Sequence, residues 1–265
     1  MPREKEPPKI LHSAMRYSVF AGGKRLRPIL AVLSFKRLGG EGDFIYTPAC
    51  ALELIHTYSL IHDDLPCMDN DDLRRGKPTS HKVFGEAMAI LVGDALHAIA
   101  FELMARAGDV RVISDVARAI GTQGLVGGQV FDLEAEGITP TPEILEAIHR
   151  GKTAALLATS LRMGAYIAKA SDEEINKVSK YGENMGLAFQ IIDDILDIVA
   201  DEKALGKPIG SDAERNKATY PALFGIEKSR QIAEDLIQKA KYALGESEKN
   251  LNLFAIADFI LDRAY

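Results

Sequence analysis

The stretch GLAFQIIDDILDIV, residues 186–199, decides the fold class of this 265-residue chain. Apolar residues and one glycine make up this stretch except for four polar positions, spaced i, i+3, i+4 and i+7, which are Gln190, Asp193, Asp194 and Asp197. That spacing places all four on one face of an α-helix. Because the apolar side is the wide one, the pattern predicts a buried helix whose narrow polar seam faces something polar inside the protein.

A cation is the partner that this seam requires. Ionised carboxylates buried alone are strongly destabilising, so they must either bind cations or take up protons. Residues 186–199 contain no histidine or cysteine, and ligands that are all oxygen select a hard cation such as Mg²⁺ over zinc. The sequence therefore predicts magnesium binding on this helix.

A second acidic cluster lies in LIHDDLPCMDNDDLRRGKP, residues 60–78, directly after another apolar helical run. Two acidic helix ends that face one cavity can hold Mg²⁺ ions that bridge a diphosphate. Cationic side chains can then take the remaining phosphate oxygens. The aspartates of the cluster are Asp63, Asp64, Asp69, Asp71 and Asp72, and the nearby cations are Arg74, Arg75, Lys24 and Arg27.

Simpler interpretations of the second cluster exist. An acidic helix end can be a solvated cap or a loop Ca²⁺ site, although this cluster lacks the ligand spacing of an EF-hand. Arg74 and Arg75 could form surface ion pairs with Asp71 and Asp72, which contribute little to stability. The buried seam at 190–197 favours the diphosphate site, because the two clusters together fit one chemistry.

Helical periodicity continues along almost the whole chain, and alternating strand patterns with turn signals are essentially missing. After an irregular segment at about 1–9, helices are predicted at 10–20, from Pro28, and at about 48–64, 80–107, 110–135, 141–169, 172–199 and 221–245, with a short one near the carboxyl end. No low-complexity linker divides the sequence. We therefore predict an all-α fold, with residues 1–265 forming a single-domain bundle of long helices around a central cavity.

Composition excludes several classes of protein. The net charge of -6 argues against a nucleic-acid partner, which would need a basic face. Cys50 and Cys67 cannot build a disulfide framework, so we expect a cytoplasmic protein. Asp94 and His97 interrupt the most apolar run, Ala87 to Ala107, so no membrane insertion is expected.

These motifs together resemble those of the trans-type prenyl diphosphate synthases, closest to the bacterial farnesyl or the bacterial and plant geranylgeranyl branch. The resemblance covers roughly Ile10 to the end and implies the isoprenoid synthase fold. The motifs, in family order, are GGKRLRP at 22–28, DDLPCMD at 63–69 with RRGKP after it, GGQVFDL at 127–133, GKTAAL at 151–156, FQIIDDILD at 189–197, and LGKPIGSD through KATYP at 205–221.

The resemblance implies a role for each matching position. Metal ligands would be Asp63, Asp64, Asp69, Asp193 and Asp197, with Asp194 binding directly or through water. The allylic diphosphate would contact Arg74, Lys152, Lys207 and Lys217, and isopentenyl diphosphate would contact Lys24, Arg27, His56 and Arg75. Thr153 and Gln190 would line the reacting centre, with Gln129 and Asp132 behind it. The implied cofactor is Mg²⁺, three ions per site, with Mn²⁺ as a substitute.

Product length in this family depends on bulky side chains below the first motif. Tyr58 is the fifth residue before Asp63 and Ser59 the fourth. An aromatic fifth residue goes with farnesyl products, so farnesyl diphosphate is the expected product and geranylgeranyl diphosphate the alternative. Helix geometry, however, places Ser59 almost directly below Asp63 and turns Tyr58 by roughly 140°.

Two other functions are less favoured. A class I terpene cyclase would need no site for isopentenyl diphosphate, and a non-catalytic synthase subunit would not need intact acidic motifs. The expected partners are small diphosphate substrates and a second copy of the chain in a homodimer, although relatives usually carry an extra helix before the position of Ile10.

Overall fold

The computed structural model describes residues 1–137, 140–199 and 217–263. Helices dominate these residues, which confirms the all-α class. The helices are α1 (Lys9–Val19), α2 (Leu26–Arg37), α3 (Tyr46–Asp63), α4 (Ser80–Phe84), α5 (Glu86–Ala105), α6 (Val110–Ile120), α7 (Leu125–Glu134), α8 (Pro142–His149), α9 (Ala155–Ile167), α10 (Asp172–Val199), α11 (Tyr220–Phe224), α12 (Ile226–Leu244) and α13 (Leu251–Asp262).

A two-residue hairpin interrupts the helices after the first acidic cluster. Strand β1 (Leu73–Arg74) pairs antiparallel with β2 (Lys77–Pro78) in the register Leu73↔Pro78 and Arg74↔Lys77. Arg75 and Gly76 form its tip with φ values of 54° and 72°, the left-handed conformation typical of tight hairpin turns. The hairpin turns the chain back and presents two adjacent arginines to different neighbours.

Four predicted helices are broken. The helix predicted at 80–107 is interrupted at Gly85 and the one at 221–245 at Gly225, each with a positive φ, 86° and 79°. The other two are broken where backbones approach closely. The predicted helix at 110–135 is two helices, α6 and α7. Gly124, between them, packs so closely that a Cβ there would lie 2.0 Å from the carbonyl oxygen of Ala119. The predicted helix at 141–169 contains a π-helical turn, Arg150–Ala154, between α8 and α9. At this turn Gly151 packs directly against Gly128 of α7, where a Cβ on Gly128 would lie 2.4 Å from the backbone nitrogen of Lys152.

The core is built around α3 and α10. Helix α3 packs along α5, and α10 packs between α9 and α12. Tyr181 of α10 is fully buried and donates its hydroxyl hydrogen to the carbonyl oxygen of Leu253 at 2.6 Å, which ties α10 to α13. In the acidic stretch at residues 186–199, Ile191, Ile192 and Ile195 have no exposed surface. The predicted buried helix is therefore observed.

Helix α5 is long and apolar enough to cross a membrane by length and composition, with 33% of its apolar window buried. The expectation that Asp94 and His97 shorten this run below a spanning length is therefore wrong by that criterion. A protein neighbour covers one side of α5. The His62 ring of α3 sits over Gly93, with Nε2 3.1 Å from the carbonyl oxygen of Ile90.

Close packing of α10 on α9 can be tested at Gly182. A Cβ at this position would lie 2.6 Å from the Ala158 Cα and 2.8 Å from a Leu161 methyl carbon. Because backbone cannot move aside cheaply, we expect Gly182→Ala to destabilise the protein by about 1–3 kcal/mol, measured by urea unfolding. Glu183→Ala, at the exposed neighbouring position, is the control, and equal stability of both variants would contradict this packing.

Candidate active site

A cavity of about 390 Å³ lies between the carboxyl end of α3, the π-helical turn and α10. Most of the predicted site residues line it, which brings together positions more than 100 residues apart in sequence. Those residues are Arg27, His56, Ser59, Asp63, Asp69, Arg74, Arg75, Gln129, Lys152, Thr153, Gln190, Asp193 and Lys217. Lys207, predicted to bind the allylic diphosphate, lies outside the described residues.

The loop after α3 places Asp69 beside Asp63. The backbone N–H of Asp69 donates to the carbonyl oxygen of Asp63 at 2.8 Å, and that of Asn70 donates to Leu65 at 3.0 Å. Asn70 adopts a left-handed φ of 51° to close this turn. Two carboxylates that are six residues apart in sequence therefore reach the same cavity.

Lysines lie beside the carboxylates around this cavity. The Lys217 ammonium lies 2.9 Å from Asp69, and the Lys152 ammonium lies 2.7 Å from Asp132. Burial raises the pKa of Asp63, an effect that Lys152 partly opposes. Burial also acts against the charged form of Lys152, but the carboxylates of Asp63, Asp132 and Asp69 raise its pKa overall. The site thus favours additional positive charge.

Arg74, the first of the two arginines after the first motif, pairs with aspartates of that motif and of the loop after it. Arg74 binds Asp64 through Nε at 2.9 Å and Asp71 through Nη2 at 2.8 Å. Burial raises the pKa of Asp64 to about 6, although the Arg74 charge lowers it. Asp64 is nearly buried and holds Arg74 rather than lining the cavity. Asp71 therefore orients an arginine, as its position suggests, whereas Asp72 pairs with Lys82 at 2.7 Å.

On α10 the four polar residues of the seam point to different neighbours. Asp193 lines the cavity and forms an ion pair with Arg263 at 2.8 Å. Gln190 accepts a hydrogen bond from the Thr153 hydroxyl at 2.7 Å. Asp194 and Asp197, with 3% and 2% of their surface exposed, are not among the described residues that line this cavity.

A second cavity of about 420 Å³ adjoins the first and contains all four residues predicted to bind isopentenyl diphosphate. The two cavities share five lining residues: Arg27, His56, Arg75, Phe189 and Arg263. Burial lowers the pKa of Arg27 to about 10. Burial, together with the surrounding arginines, lowers the pKa of His56 well below its usual value, so this imidazole is neutral at pH 7. Lys24 lines the second cavity alone.

Sequence reasoning missed Glu53 and Arg263, which line this second cavity. Glu53 is 7% exposed and forms ion pairs with Arg25 and, at 3.2 Å, with Arg75. Arg263 stacks its guanidinium 5.1 Å above the Phe189 ring while it pairs with Asp193. The sequence shows Glu53 as a glutamate in an otherwise apolar helix, which indicates a buried polar role. Its arginine partners depend on the tertiary fold and cannot be read from that pattern.

Tyr58 does not line either cavity. Its ring stacks on His97 of α5 at a centroid distance of 4.8 Å and meets the His62 ring edge-on at 5.8 Å. Burial raises its pKa to about 12, with a further contribution from Asp63. Ser59, one helical turn below Asp63, lines the first cavity instead, as the helix geometry predicts.

The described donor set fits divalent cations that share their ligands with a substrate. Asp63, Asp69 and Asp193 face the same cavity with oxygen atoms only, which suits Mg²⁺. Among the residues that the structure describes, no three acidic, histidine or cysteine side chains lie close enough to hold a metal alone. Diphosphate oxygens and water would supply further ligands.

An all-helical bundle whose carboxylates and cations meet around one cavity defines the class of the isoprenyl synthases. The chain belongs to the polyprenyl synthetase family, whose profile matches residues 8–254. This confirms the resemblance found in the sequence.

Similar proteins support this assignment. The chain is 50% identical to a heterodimeric geranylgeranyl pyrophosphate synthase large subunit of Arabidopsis thaliana, covering 98% of this chain and 73% of the relative. It is 51% identical to a geranylgeranyl pyrophosphate synthase of Catharanthus roseus, covering 98% and 75%. Both relatives are described as chloroplastic.

Solved structures share the fold. An apo FPP/GFPP synthase from Zymomonas mobilis superposes with a TM-score of 0.85 at 37% identity, covering 98% of this chain and 91% of that one. A polyprenyl synthase from Caulobacter crescentus, complexed with calcium and isoprenyl diphosphate, gives a TM-score of 0.90 at 30% identity with the same coverage.

The shared-ligand arrangement predicts that metal and diphosphate bind together. We expect Mg²⁺ with inorganic diphosphate to raise the melting temperature and Mg²⁺ alone to raise it little. With the ligands at roughly 100 times their dissociation constant, binding adds about 2.7 kcal/mol to the free energy of unfolding. Asp63→Asn should abolish the joint effect in differential scanning fluorimetry. Asp72→Asn, exposed and paired with Lys82, is the control. Equal stabilisation by Mg²⁺ alone would contradict the arrangement.

Proposed function

We propose that this prenyltransferase condenses isopentenyl diphosphate with allylic diphosphates and ends at geranylgeranyl diphosphate. The observation that carries the condensation is the pair of adjoining cavities. One has carboxylates and lysines, and the other has Lys24 and the residues that both share, including Arg27, His56 and Arg75. One diphosphate bound with metal and a second bound by cations would meet at the shared wall.

Charge development explains the work of the first cavity. As the allylic carbon–oxygen bond breaks, negative charge grows on the departing diphosphate, and Lys152, Lys217 and Arg74 are placed to stabilise it. Bound Mg²⁺ would supply the largest share of this stabilisation, and the calcium complex of the Caulobacter relative supports a divalent ion. Asp63, Asp69 and Asp193 would hold it.

The allylic cation would be stabilised and shielded by the side chains between the two cavities. The hydroxyl oxygen of Thr153 and the amide oxygen of Gln190 lie together at 2.7 Å and can direct their dipoles toward the positive carbon. Leu125 and Phe189 also line this space and exclude water. The double bond of isopentenyl diphosphate then attacks the cation, and the proton lost in forming the new double bond passes to the released diphosphate.

The relatives and the position of Tyr58 bear on product length. Both relatives at about half identity are named geranylgeranyl synthases, which favours this product over the farnesyl product expected from the sequence. The stack of Tyr58 on His97 holds the ring against α5, away from the described cavity lining, and is consistent with room for a longer chain. Farnesyl diphosphate is the second candidate, favoured by the aromatic residue itself and by the name of the Zymomonas structure.

Product analysis tests both candidates. We expect purified protein with Mg²⁺, labelled isopentenyl diphosphate and dimethylallyl, geranyl or farnesyl diphosphate to yield a 20-carbon product by chromatography after dephosphorylation. Tyr58→Ala should give the same length, because the wild-type ring does not block the chain. Tyr46→Ala, at the exposed start of α3, is the control. A 15-carbon product that lengthens only in Tyr58→Ala would favour the farnesyl candidate, and no elongation with any starter would reject the synthase.

We further propose a cytoplasmic homodimer in which a second copy covers the apolar face of α5. Ile90 and Leu91 are 45% and 53% exposed, and exposed apolar patches of this kind mark interaction surfaces. The charges of Asp94 and Glu102, both on α5, make membrane insertion less favourable than burial against protein.

The dimer predicts a specific response to charge. Leu91→Asp would place a carboxylate in the interface, so we expect a shift from dimer to monomer in light scattering coupled to size exclusion. Val110→Asp introduces the same charge at a site that is 75% exposed and should leave the mass unchanged. A monomeric wild-type protein would contradict the homodimer.

A further inference from the structure

Asp194 occupies the centre of a buried polar network behind the first cavity. One carboxylate oxygen accepts a hydrogen bond from the Gln190 amide nitrogen at 3.1 Å. The other accepts one from the backbone N–H of Tyr220 at 3.1 Å and lies 3.4 Å from Nε2 of His149. Within the described part of the chain, the carboxylate thus reaches α8, α10 and α11.

The surroundings of Asp194 exclude water. Asp194 and His149 are each 3% exposed and Tyr220 is 6% exposed. The rings of His149 and Tyr220 stack at a centroid distance of 5.1 Å. Nε2 of His149 faces the carboxylate at 3.4 Å from this stacked pair. A carboxylate enclosed in this way is occupied by hydrogen-bond donors of the protein.

The contact with Gln190 determines the orientation of an amide at the proposed reacting centre. Because the amide nitrogen donates to Asp194, the amide oxygen points to the Thr153 hydroxyl, from which it accepts at 2.7 Å. Without the carboxylate the amide could rotate and present its nitrogen, whose dipole would repel a positive carbon.

The contact with Tyr220 fixes the chain three residues after Lys217. The N–H of Tyr220 belongs to the first turn of α11, where the Thr219 hydroxyl caps the helix by accepting from Ala222 at 3.3 Å. Lys217 reaches Asp69 at 2.9 Å from this anchored segment. Asp194 therefore anchors the segment from which Lys217 reaches the first acidic motif.

We propose that Asp194 is a positioning residue that orients the Gln190 amide and anchors the Lys217–Tyr220 segment, and that it is not a metal ligand. This differs from the role implied by the sequence motif, in which Asp194 binds metal directly or through water. The kinetic consequence rests on the proposed synthase function, whereas the structural consequence does not.

The Tyr220 amide gives a direct readout. The chain has eight tyrosines, so selective ¹⁵N-tyrosine labelling gives few signals, and Tyr220→Phe assigns the relevant one. In substrate-free protein we expect Asp194→Asn to accelerate hydrogen exchange of this amide about ten-fold and Asp194→Leu to accelerate it more, because a bond to a charged acceptor is weakened or lost. Circular dichroism melting identifies a variant that is globally unfolded. Asparagine has the shape of aspartate, so Asp194→Asn provides the test if Asp194→Leu does not fold.

Kinetics separate positioning from metal binding. In Asp194→Asn we expect kcat to fall by roughly 10- to 100-fold, as for a small misplacement of a reacting group, with the Mg²⁺ concentration for half-maximal activity unchanged. Asp193→Asn is the matched comparison at the adjacent position. It should raise that Mg²⁺ concentration and leave the Tyr220 amide as protected as in the wild type.

Two outcomes would overturn the inference. Unchanged exchange of the Tyr220 amide in folded Asp194→Asn and Asp194→Leu would show that the carboxylate does not anchor the segment. A Mg²⁺ requirement raised in Asp194→Asn as in Asp193→Asn, without faster exchange, would make Asp194 a ligand. If the wild type elongates no substrate, the synthase proposal fails, and the amide measurement alone decides the role of Asp194.

Discussion

Carboxylate charge inside an apolar helical bundle is the constraint on which the other features depend. Asp63 and Asp193 lie at the facing walls of one cavity, and burial disfavours the ionised form of Asp63. Proteins tolerate such groups only when positive charge compensates them. Here Lys152, Lys217 and Arg263 supply it from three separate segments. When a divalent ion binds with a diphosphate, the carboxylates would bind the ion and the cationic side chains would bind the diphosphate.

The sequence predicted the fold class and the content of the cavity because both depend on local spacing. The seam at 190–197 required a buried helix, and the structure has one. The seam could not reveal which residue faces what, because successive residues on a helix differ by about 100°. Asp193 and Asp194 lie at opposite edges of the polar face, so one reaches the cavity and the other reaches α11. Only the long-range placement of α8 and α11 decides between them.

Partners that are distant in sequence account for the remaining differences. Glu53 is visible as a glutamate in an apolar helix, but its contact with Arg75 depends on the hairpin that follows the first motif. The contact of Arg263 with Asp193 depends on where α13 ends. The extended helices predicted at 110–135 and 141–169 are wrong in detail because Gly124, Gly128 and Gly151 permit backbone contacts that periodicity does not report.

The π-helical turn at Arg150–Ala154 has a consequence for how the site could change over evolution. A π turn accommodates one residue more than an α turn, so deleting a residue there would restore regular helix and shift the phase of one flank by about 100°. Lys152 and Thr153 sit within this turn and would not both keep their direction. The extra residue of the π turn thus fixes the direction in which Lys152 and Thr153 point. Insertions and deletions in this chain are better accommodated in the loops than between α8 and α9.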